Sequence, residues 1–418
     1  MKSITPILAG LFVAGGLLVA QAAQLLDESF LKSLRSEAAS HHPAASAGSH
    51  RSLAADRDVL GVRLWDDPTV GLSLMAADAE KRRADGDIRV SLEQMLPKPG
   101  LFAAARSKAE ALQRAELENF RSSAIEVGAM AARDAIELAL ADESIGLLSS
   151  QLQWLASMTQ NARQRAANPD ANGIEVLRLE SELAGETEIL AAARRSRESL
   201  AGSLNLRLGR PLDSPWPTLC LGSGSYAVPL ANAEIARIPH ANPKVRTMKE
   251  MASVASAETR IADRERAPQL AVAVDVDTYS GSDFRSASLG LKASLPFFNR
   301  TSYSARIAAS QQREHAALRE IESAQLEVAS AVLAAVAESE NAAAQASAYS
   351  GEVYQRAQSM KQAVEGSWIS SKSSVSDLLD AQRQLFSIRL EQRRFVAKQR
   401  IALEELNRLV PKISQNKP

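Results

Sequence analysis

The sequence has almost no cysteine, few aromatic residues and no excess of charge of either sign. Cys220 is the only cysteine in 418 residues, so the chain cannot form an internal disulfide. Lysine plus arginine (49) equals aspartate plus glutamate (49), which leaves no basic surplus that would indicate nucleic-acid binding. Aromatic residues make up only 4% of the chain, whereas a large globular core usually relies on them. The abundant alanine is instead typical of helices packed along narrow, coiled-coil-like seams.

The first residues have the pattern of an export signal. Lys2 supplies a positive charge, residues 4–18 form an apolar run, and Ala20–Ala22 fits a small-x-small cleavage site. We expect cleavage after Ala22, which makes residues 1–22 the signal peptide. An uncleaved anchor is disfavoured because the run is short for a bilayer and polar residues follow it directly. No later stretch of about 18 apolar residues exists, so membrane insertion of the mature chain would require closed β-structure.

The chain contains one pattern twice, at an offset of about 200 residues. The matches, in chain order, are His42-Pro43 with Asn242-Pro243, Leu96-Pro97 with Leu295-Pro296, Glu126-Val127 with Glu327-Val328, Ile174–Leu177 with Val375–Leu379, and Leu204-Asn205 with Leu406-Asn407. Five matches in the same order predict a tandem duplication. The predicted domains are residues 23–208 as the first structural repeat, 209–229 as a linker or equatorial segment, 230–410 as the second repeat, and 411–418 as a C-terminal tail.

Each half begins with a helical lead-in followed by two segments of alternating apolar residues. The lead-ins are 24–59 and 231–266, and the alternating segments are 70–76 and 88–92 in the first half and 270–276 and 289–295 in the second. Alternation with a period of two, bounded by polar turns and proline, predicts strands with one apolar face. Two surface hairpins on a soluble domain would show the same pattern, and strand length alone does not separate the two interpretations.

A long helix is predicted after each strand pair. Residues 100–165 and 302–364 contain no proline, and at 1.5 Å per residue they span roughly 90–100 Å. Their apolar residues step by three and four, which is the pattern of a coiled-coil seam. Polar turns containing glycine, at 168–173 and 365–374, precede return helices that end near residues 208 and 409. Each half is therefore predicted to be a strand pair joined to a long helical hairpin.

Four strands do not close a membrane barrel, since bacterial barrels have about eight or more. Three copies would supply twelve strands, with the paired helices continuing the barrel. The predicted fold is mainly α with a small β part: tandem-duplicated long helical hairpins plus four strands, forming a trimeric 12-stranded barrel and an α-helical tube. Such a tube would conduct solutes across the outer membrane and through the periplasm.

Several motifs resemble the TolC family of outer-membrane efflux proteins. They are Gln94–Gly100, Leu295–Arg300, Gly366 followed by Val375–Gln382, Leu204-Asn205 with Gly209, and Leu406-Asn407. The Pro-Phe-Phe-Asn-Arg run within Leu295–Arg300 is similar to the heavy-metal cation (CzcC-type) branch, although Thr301–Tyr303 lacks the glycine often found after it. The resemblance implies a homotrimer in outer-membrane lipid, docked onto a periplasmic adaptor and an inner-membrane pump of the RND type, with no cofactor.

The resemblance makes Asp377 and Asp380 the candidate pore residues, and their spacing of three puts both on one helix face. Acidic residues also favour the positive end of a helix, so Asp377 has an equally simple structural explanation. In the resembled family the second-half acids line the narrowest point of the tube, and carboxylate rings select cations. The first half has Glu175 and Arg178 at the matching positions. Adaptor docking is expected at the helix tips, represented by Asn172, Gly173, Gly366 and Ser371.

No enzyme motif or metal-ligand spacing is evident in the sequence. His41 and His42 are adjacent and do not share a helix face, so a solvated pair is the simpler interpretation. Trp368, at the second tip, would either pack locally or contact a partner. The alternative functions are a structural envelope coiled coil, a periplasmic adaptor, and a channel for drugs or other organic solutes.

Overall fold

A computed structural model describes residues 24–74, 88–167, 173–222, 235, 237–279, 284–370 and 372–410. The predicted signal peptide and the tail 411–418 lie outside these residues, as do the polar turns that separate the two strands of each pair, 81–86 and 280–283. Among the described residues, no helix is both long enough and apolar enough to cross a membrane.

The described chain is mainly helical and contains four longer antiparallel strands, as the sequence predicts. The first repeat contains β1 (Gln24–Leu25), α1 (Glu28–His41), α2 (Pro43–Gly61), β2 (Thr69–Leu74), β3 (Ile88–Met95), α3 (Leu101–Ala166) and α4 (Ile174–Leu208). After β4 (Leu219–Cys220), the second contains α5 (Ile238–Ala241), α6 (Pro243–Glu265), β5 (Leu270–Thr278), β6 (Phe284–Ala293), α7 (Arg300–Ser350), α8 (Glu352–Ile369) and α9 (Val375–Leu409). A short 3-10 helix, Pro296–Asn299, joins β6 to α7.

The duplication extends to the way in which equivalent helices begin. His42 accepts a hydrogen bond at Nδ1 from the amide of Ala44 (3.2 Å), and Asn242 accepts one at Oδ1 from the amide of Lys244 (2.9 Å). In both places a proline follows at the first helical position, where a backbone N–H would have no partner within the helix. The recurring pair at offset 200 is therefore a helix cap and its proline, and each lead-in consists of two helices. His42 acts here as a capping residue.

The four longer strands form one antiparallel sheet in the order β2-β3-β5-β6. Leu72 lies opposite Val90, and Val90 lies opposite Val276 on the next strand. The strand predicted to reach Leu295 ends at Ala293, because the chain turns into the 3-10 helix at Pro296. Within the described residues, β2 and β6 each pair with another strand on one side only.

The long helices differ from the prediction in the second repeat. Helix α3 has 66 residues and is unbroken, as predicted. The predicted single helix over 302–364 is wrong at Gly351, whose backbone (φ −94°, ψ −114°) leaves the helical region and divides α7 from α8. Helix α8 also extends into the predicted turn as far as Ile369, so Gly366 lies inside the helix, and its carbonyl accepts a hydrogen bond from the amide of Ser370 (3.2 Å). A glycine inside a helix costs only about 1 kcal/mol, and the burial of Trp368 two residues later offsets that cost.

The helices below the sheet pack side by side in the same order as the strands. Helix α2 packs on α3, α3 packs on α6, and α6 packs on α7. The return helices complete the layer, since α4 lies along α3 and α9 lies along α7, α8 and α3. The buried faces are rich in alanine, including the run Ala131, Ala132, Ala135 and Ala139 on α3. Small side chains let these long helices approach closely, which is how a chain with 4% aromatic residues builds its core.

The segment between the repeats is fastened to α3 by two consecutive acidic residues. Asp142 accepts a hydrogen bond from the amide of Leu219 (2.8 Å), and Glu143 accepts one from the amide of Leu221 (2.9 Å). Asp142 is buried and also pairs with Arg197 (2.8 Å). Strand β4 then pairs in parallel with β1 at the start of the described chain. Residues 219–221 of the predicted linker are therefore held against the first repeat.

Candidate functional site

The sheet has one apolar face, and that face is exposed in the single chain. Its exposed members are Val70, Leu72, Leu74, Val90, Leu92, Val274, Leu289 and Leu291. The strand register brings these side chains together, because Val70 lies opposite Leu92, Leu92 opposite Val274, and Val274 opposite Leu289. An apolar band this continuous marks a surface covered by lipid or by protein.

The opposite face of the sheet is polar and joined by ion pairs across the strands. Arg89 on β3 pairs with Asp277 on β5 (2.7 Å), and Glu93 on β3 pairs with Lys292 on β6. Ser286 adds a hydrogen bond from its Oγ to Asp277 (3.2 Å). The two faces therefore have the apolar-out, polar-in character of a membrane barrel wall.

At the other end of the molecule, the ends of the two helical hairpins share one core. Its buried members are Leu155, Met158, Ala162, Leu179, Trp368, Val375, Leu378 and Leu379. Trp368 is 1% exposed, and the Arg165 guanidinium lies 4.8 Å from its ring centroid and donates to its carbonyl (3.1 Å). Of the two interpretations of Trp368, local packing is therefore confirmed. This core fixes the second hairpin against the first.

Asp377 belongs to the capping box that starts α9. Its carboxylate accepts hydrogen bonds from the Oγ (2.7 Å) and the amide (3.0 Å) of Ser374, and its own amide donates to Ser374 Oγ (3.2 Å). The hydrogen bond from the Ser374 hydroxyl, followed by that from its amide, lowers the pKa of Asp377 below its ordinary value. Within one chain the capping contacts thus lower the proton affinity of Asp377.

Asp380 is less constrained by its own chain. Its side chain is 73% exposed, and its contact with Arg383 is long, at 3.4 Å. Arg383 pairs mainly with Glu182 on α4 through two hydrogen bonds of 3.0 and 2.7 Å. Asp380 therefore projects a carboxylate into solvent beside an arginine that is already engaged.

A further polar contact joins the two repeats at the tip. Arg178, which follows Glu175 by three residues, donates to the Oγ of Ser376 (2.6 Å). The paired acids of the second half have no counterpart here, as the sequence indicates. Arg178 instead links α4 to the start of α9.

The structure describes two of the four predicted docking residues. Gly173 directly precedes α4, and Gly366 lies within α8, four residues before Ser370. Asn172 and Ser371 lie outside the described residues.

Sequence reasoning missed the pair of Glu182 and Arg383, although a signal for it was present. The two residues are 201 positions apart, close to the repeat offset, and carry opposite charges. Equivalent positions of the repeats lie on neighbouring helices at the tip, so opposite charges at that offset could have been read as a salt bridge. Among the described residues, no cluster of three or more histidine, cysteine or acidic side chains could hold a metal ion.

A family profile described as outer membrane efflux protein matches residues 237–410, the second repeat. No curated protein sequence matches the chain significantly. Among solved structures, VceC from Vibrio cholerae has a TM-score of 0.77 at 15% identity, covering 91% of this chain and 96% of VceC. The open-state channel MtrE of Neisseria gonorrhoeae has a TM-score of 0.75 at 19% identity, covering 91% and 88%. CusC has a TM-score of 0.77 at 15% identity, covering 94% and 95%.

At these identities the structural likenesses define the fold, which is that of outer-membrane channels with long helical hairpins. The profile match links the second repeat to outer-membrane efflux proteins by its sequence as well. The described chain therefore has the fold of these outer-membrane channels, and its second repeat matches the outer membrane efflux protein family. This fold favours the interpretation as a channel over those as a structural coiled coil or a periplasmic adaptor.

Proposed function

We propose that three copies of this chain form the outer-membrane conduit of a tripartite efflux system. The observation that carries the proposal is the four-stranded sheet with an exposed apolar face and two edge strands. Pairing β6 of one copy with β2 of the next would satisfy both edges and close twelve strands in lipid, with the polar face inside. The export signal over residues 1–22 would deliver the chain to the envelope.

The mass of the complex tests the assembly. Detergent extraction of outer membranes followed by native mass spectrometry should give a trimer of the processed chain. A monomer recovered from the soluble periplasmic fraction would contradict the assembly and the membrane location together.

The helix tips would dock a periplasmic adaptor, which in turn binds an inner-membrane pump of the RND type. Support comes from the arrangement of each repeat, in which the strands and the hairpin turn lie at opposite ends of helices roughly 100 Å long. Cysteines at Gly173 or Ser371 should crosslink to the adaptor, whereas cysteines within 280–283 should react with a membrane-impermeant maleimide outside the cell. The reverse labelling pattern would refute this topology.

Asp377 and Asp380 would form two stacked rings of three carboxylates where the tube narrows. Such rings concentrate cations and exclude anions. Replacing both residues with alanine should raise single-channel conductance in planar bilayers and weaken cation selectivity, while the trimer remains intact. Glu175→Ala is the matched control and should change both quantities less, since Arg178 stands where the second acid would be.

The proposed substrates are metal cations. Support comes from the similarity of Leu295–Arg300 to the heavy-metal branch and from the paired acids at the tip. CusC, VceC and MtrE match this chain about equally well, with TM-scores of 0.75 to 0.77, so these likenesses do not resolve the heavy-metal branch. Deleting the gene should lower tolerance of divalent metal cations and leave tolerance of drugs unchanged. The opposite result would support the channel for drugs or other organic solutes.

A further inference from the structure

We propose that Glu186 on α4 and Gln151 on α3 form a buried proton-binding site, in which Glu186 keeps its proton and donates it to the amide oxygen of Gln151. The site lies within one chain, so it does not depend on the trimer proposed above. It lies one helical turn from the core at the hairpin ends, since Gln151 precedes Leu155 of that core by four residues on the same helix.

The hydrogen bonds of this pair are incomplete when Glu186 is ionised. The amide nitrogen of Gln151 donates to Oε1 of Glu186 (2.8 Å). The other polar atom of each group, Oε1 of Gln151 and Oε2 of Glu186, is buried and has no hydrogen-bond partner among the described residues. Both atoms are acceptors in this state, so they cannot bond to each other. A buried acceptor without a donor carries its full desolvation cost.

A single proton on Oε2 of Glu186 supplies the missing donor. A protonated carboxyl group donates through its O–H and still accepts at its other oxygen, and a primary amide also presents one donor and one acceptor. The two groups can therefore face each other through two hydrogen bonds, of which the one from Gln151 is already present. Gln151 is 6% exposed, which leaves water little access as an alternative donor. Protonation thus satisfies both unpartnered atoms at once.

The surrounding charges also favour the neutral acid. Burial, followed by the nearby charge of Glu182, raises the pKa of Glu186 above its ordinary value, and Arg383 on α9 opposes this shift. Arg383 is already bound to Glu182 by two hydrogen bonds of 3.0 and 2.7 Å, so it first offsets the charge of Glu182. Helix α3 has no charged residue between Glu143 and Arg163, so it presents only uncharged side chains at this level.

Loss of the proton changes the competition for Arg383. Ionised Glu186 adds a second negative charge beside Glu182, and both carboxylates then compete for one guanidinium group. Because the folded chain holds this proton more tightly than the unfolded chain, the stabilising contribution is complete below the ordinary pKa of 4.5 and is lost as the pH rises through the higher pKa of the folded state. The packing of α4 against α3 and α9 should therefore weaken as the pH rises.

Difference infrared spectroscopy of the full-length, detergent-extracted protein tests the site. At about pH 6, where an exposed glutamate is ionised, the spectrum should contain the carbonyl stretch of a protonated carboxylic acid that is lost in Glu186→Gln. Glu188→Gln, which removes an exposed acid from the same helix, is the matched control and should keep the band. Glu182→Gln should move the disappearance of the band to a lower pH, because it removes the neighbouring negative charge and leaves Arg383 to Glu186.

Hydrogen exchange measures the structural consequence without relying on the infrared band. Glu186→Gln keeps the shape of the side chain and offers Gln151 a permanent donor, so its exchange within residues 148–155 and 182–190 should match that of the wild type at about pH 6. At about pH 9 the wild type should exchange several-fold faster there than the variant. Absence of the band, faster exchange of the variant at about pH 6, or equal exchange at about pH 9 would each overturn the proposal.

Discussion

Asp377 and Asp380 lie three residues apart, yet their own chain uses them differently. Asp377 is bound to Ser374 through a capping box that stabilises the first turn of α9. Among the described residues, Asp380 contacts only Arg383, at long range, and the charge of Arg383 is already matched by Glu182. A carboxylate held by its own helix start is less available to a passing ion than one projecting into solvent. The two acids should therefore contribute unequally to a cation-selective constriction.

We expect Asp380→Asn to reduce cation selectivity more than Asp377→Asn does. Both changes remove one charge per chain and keep the side-chain shape, so the comparison isolates the position of the charge. Reversal potentials in planar bilayers with a salt gradient measure the selectivity of each variant. Equal shifts from the two variants would show that the capping contacts do not restrain Asp377.

The cap also predicts a dependence on pH. Because the hydrogen bonds from Ser374 hold the pKa of Asp377 below its ordinary value of 3.8, the folded chain binds this proton less tightly than the unfolded chain. The contribution to stability is present above about pH 3.8 and is lost as the pH falls through the lower pKa of the folded state. Hydrogen exchange in the first turn of α9 should therefore accelerate in that acid range.

Ser374→Ala should reduce this acid-range change, because it removes the hydroxyl and keeps the amide, and should destabilise the helix start by about 1 kcal/mol at neutral pH. Hydrogen exchange of residues 375–380 measures both effects. Ser387→Ala, an exposed serine further along α9, is the control and should leave the exchange of this turn unchanged. Loss of protection in both variants would mean that the cap is not what holds the turn.

At the scale of elements, the sequence predicted what depends on local chemistry. Proline at the start of α2 and α6, and the apolar alternation of the strands, place these elements close to where they are found. The break at Gly351 was missed because one glycine in an alanine-rich helix gives no strong local signal. The two-residue pairing of β1 with β4 was missed as well, since its partners are far apart in sequence and too short to show a pattern. The features that the sequence did not predict depend on contacts between segments that are far apart in the chain.

Trp368 packs in the core that holds the ends of the two hairpins together, so its truncation should destabilise the packing of the tip. The side chain is fully buried between α3 and α9, so Trp368→Ala should cost about 3–5 kcal/mol locally. Hydrogen exchange should rise at 155–162 and 375–383, while the helices beside the sheet keep their protection. Trp65→Ala is the control, because that ring is half exposed. A uniform loss of protection along the whole chain would contradict a local joint.

At the scale of the whole molecule, the difference between the two faces of the sheet connects the fold with a location in a membrane. In the part of the chain that the structure describes, the apolar face is exposed and both outer strands keep an unpaired edge. Lipid would cover the face, and further copies would cover the edges. Because successive residues of a strand point to opposite faces, adjacent residues of one strand should respond in opposite ways to the same substitution.

Leu289 and Ser288 on β6 provide that comparison. Leu289 is 76% exposed on the apolar face and pairs with Val274, while Ser288 lies on the polar face opposite Asp275. An arginine on the lipid side near the middle of a barrel costs about 2–4 kcal/mol, whereas one on the inner side stays hydrated. Leu289→Arg, repeated in three copies, should deplete the chain from the outer membrane and lower the dissociation temperature of the extracted trimer. Ser288→Arg should assemble normally, assisted by Asp275, and make the channel less cation-selective. Normal insertion of Leu289→Arg together with failure of Ser288→Arg would mean that the faces are reversed, with the apolar side chains turned away from lipid.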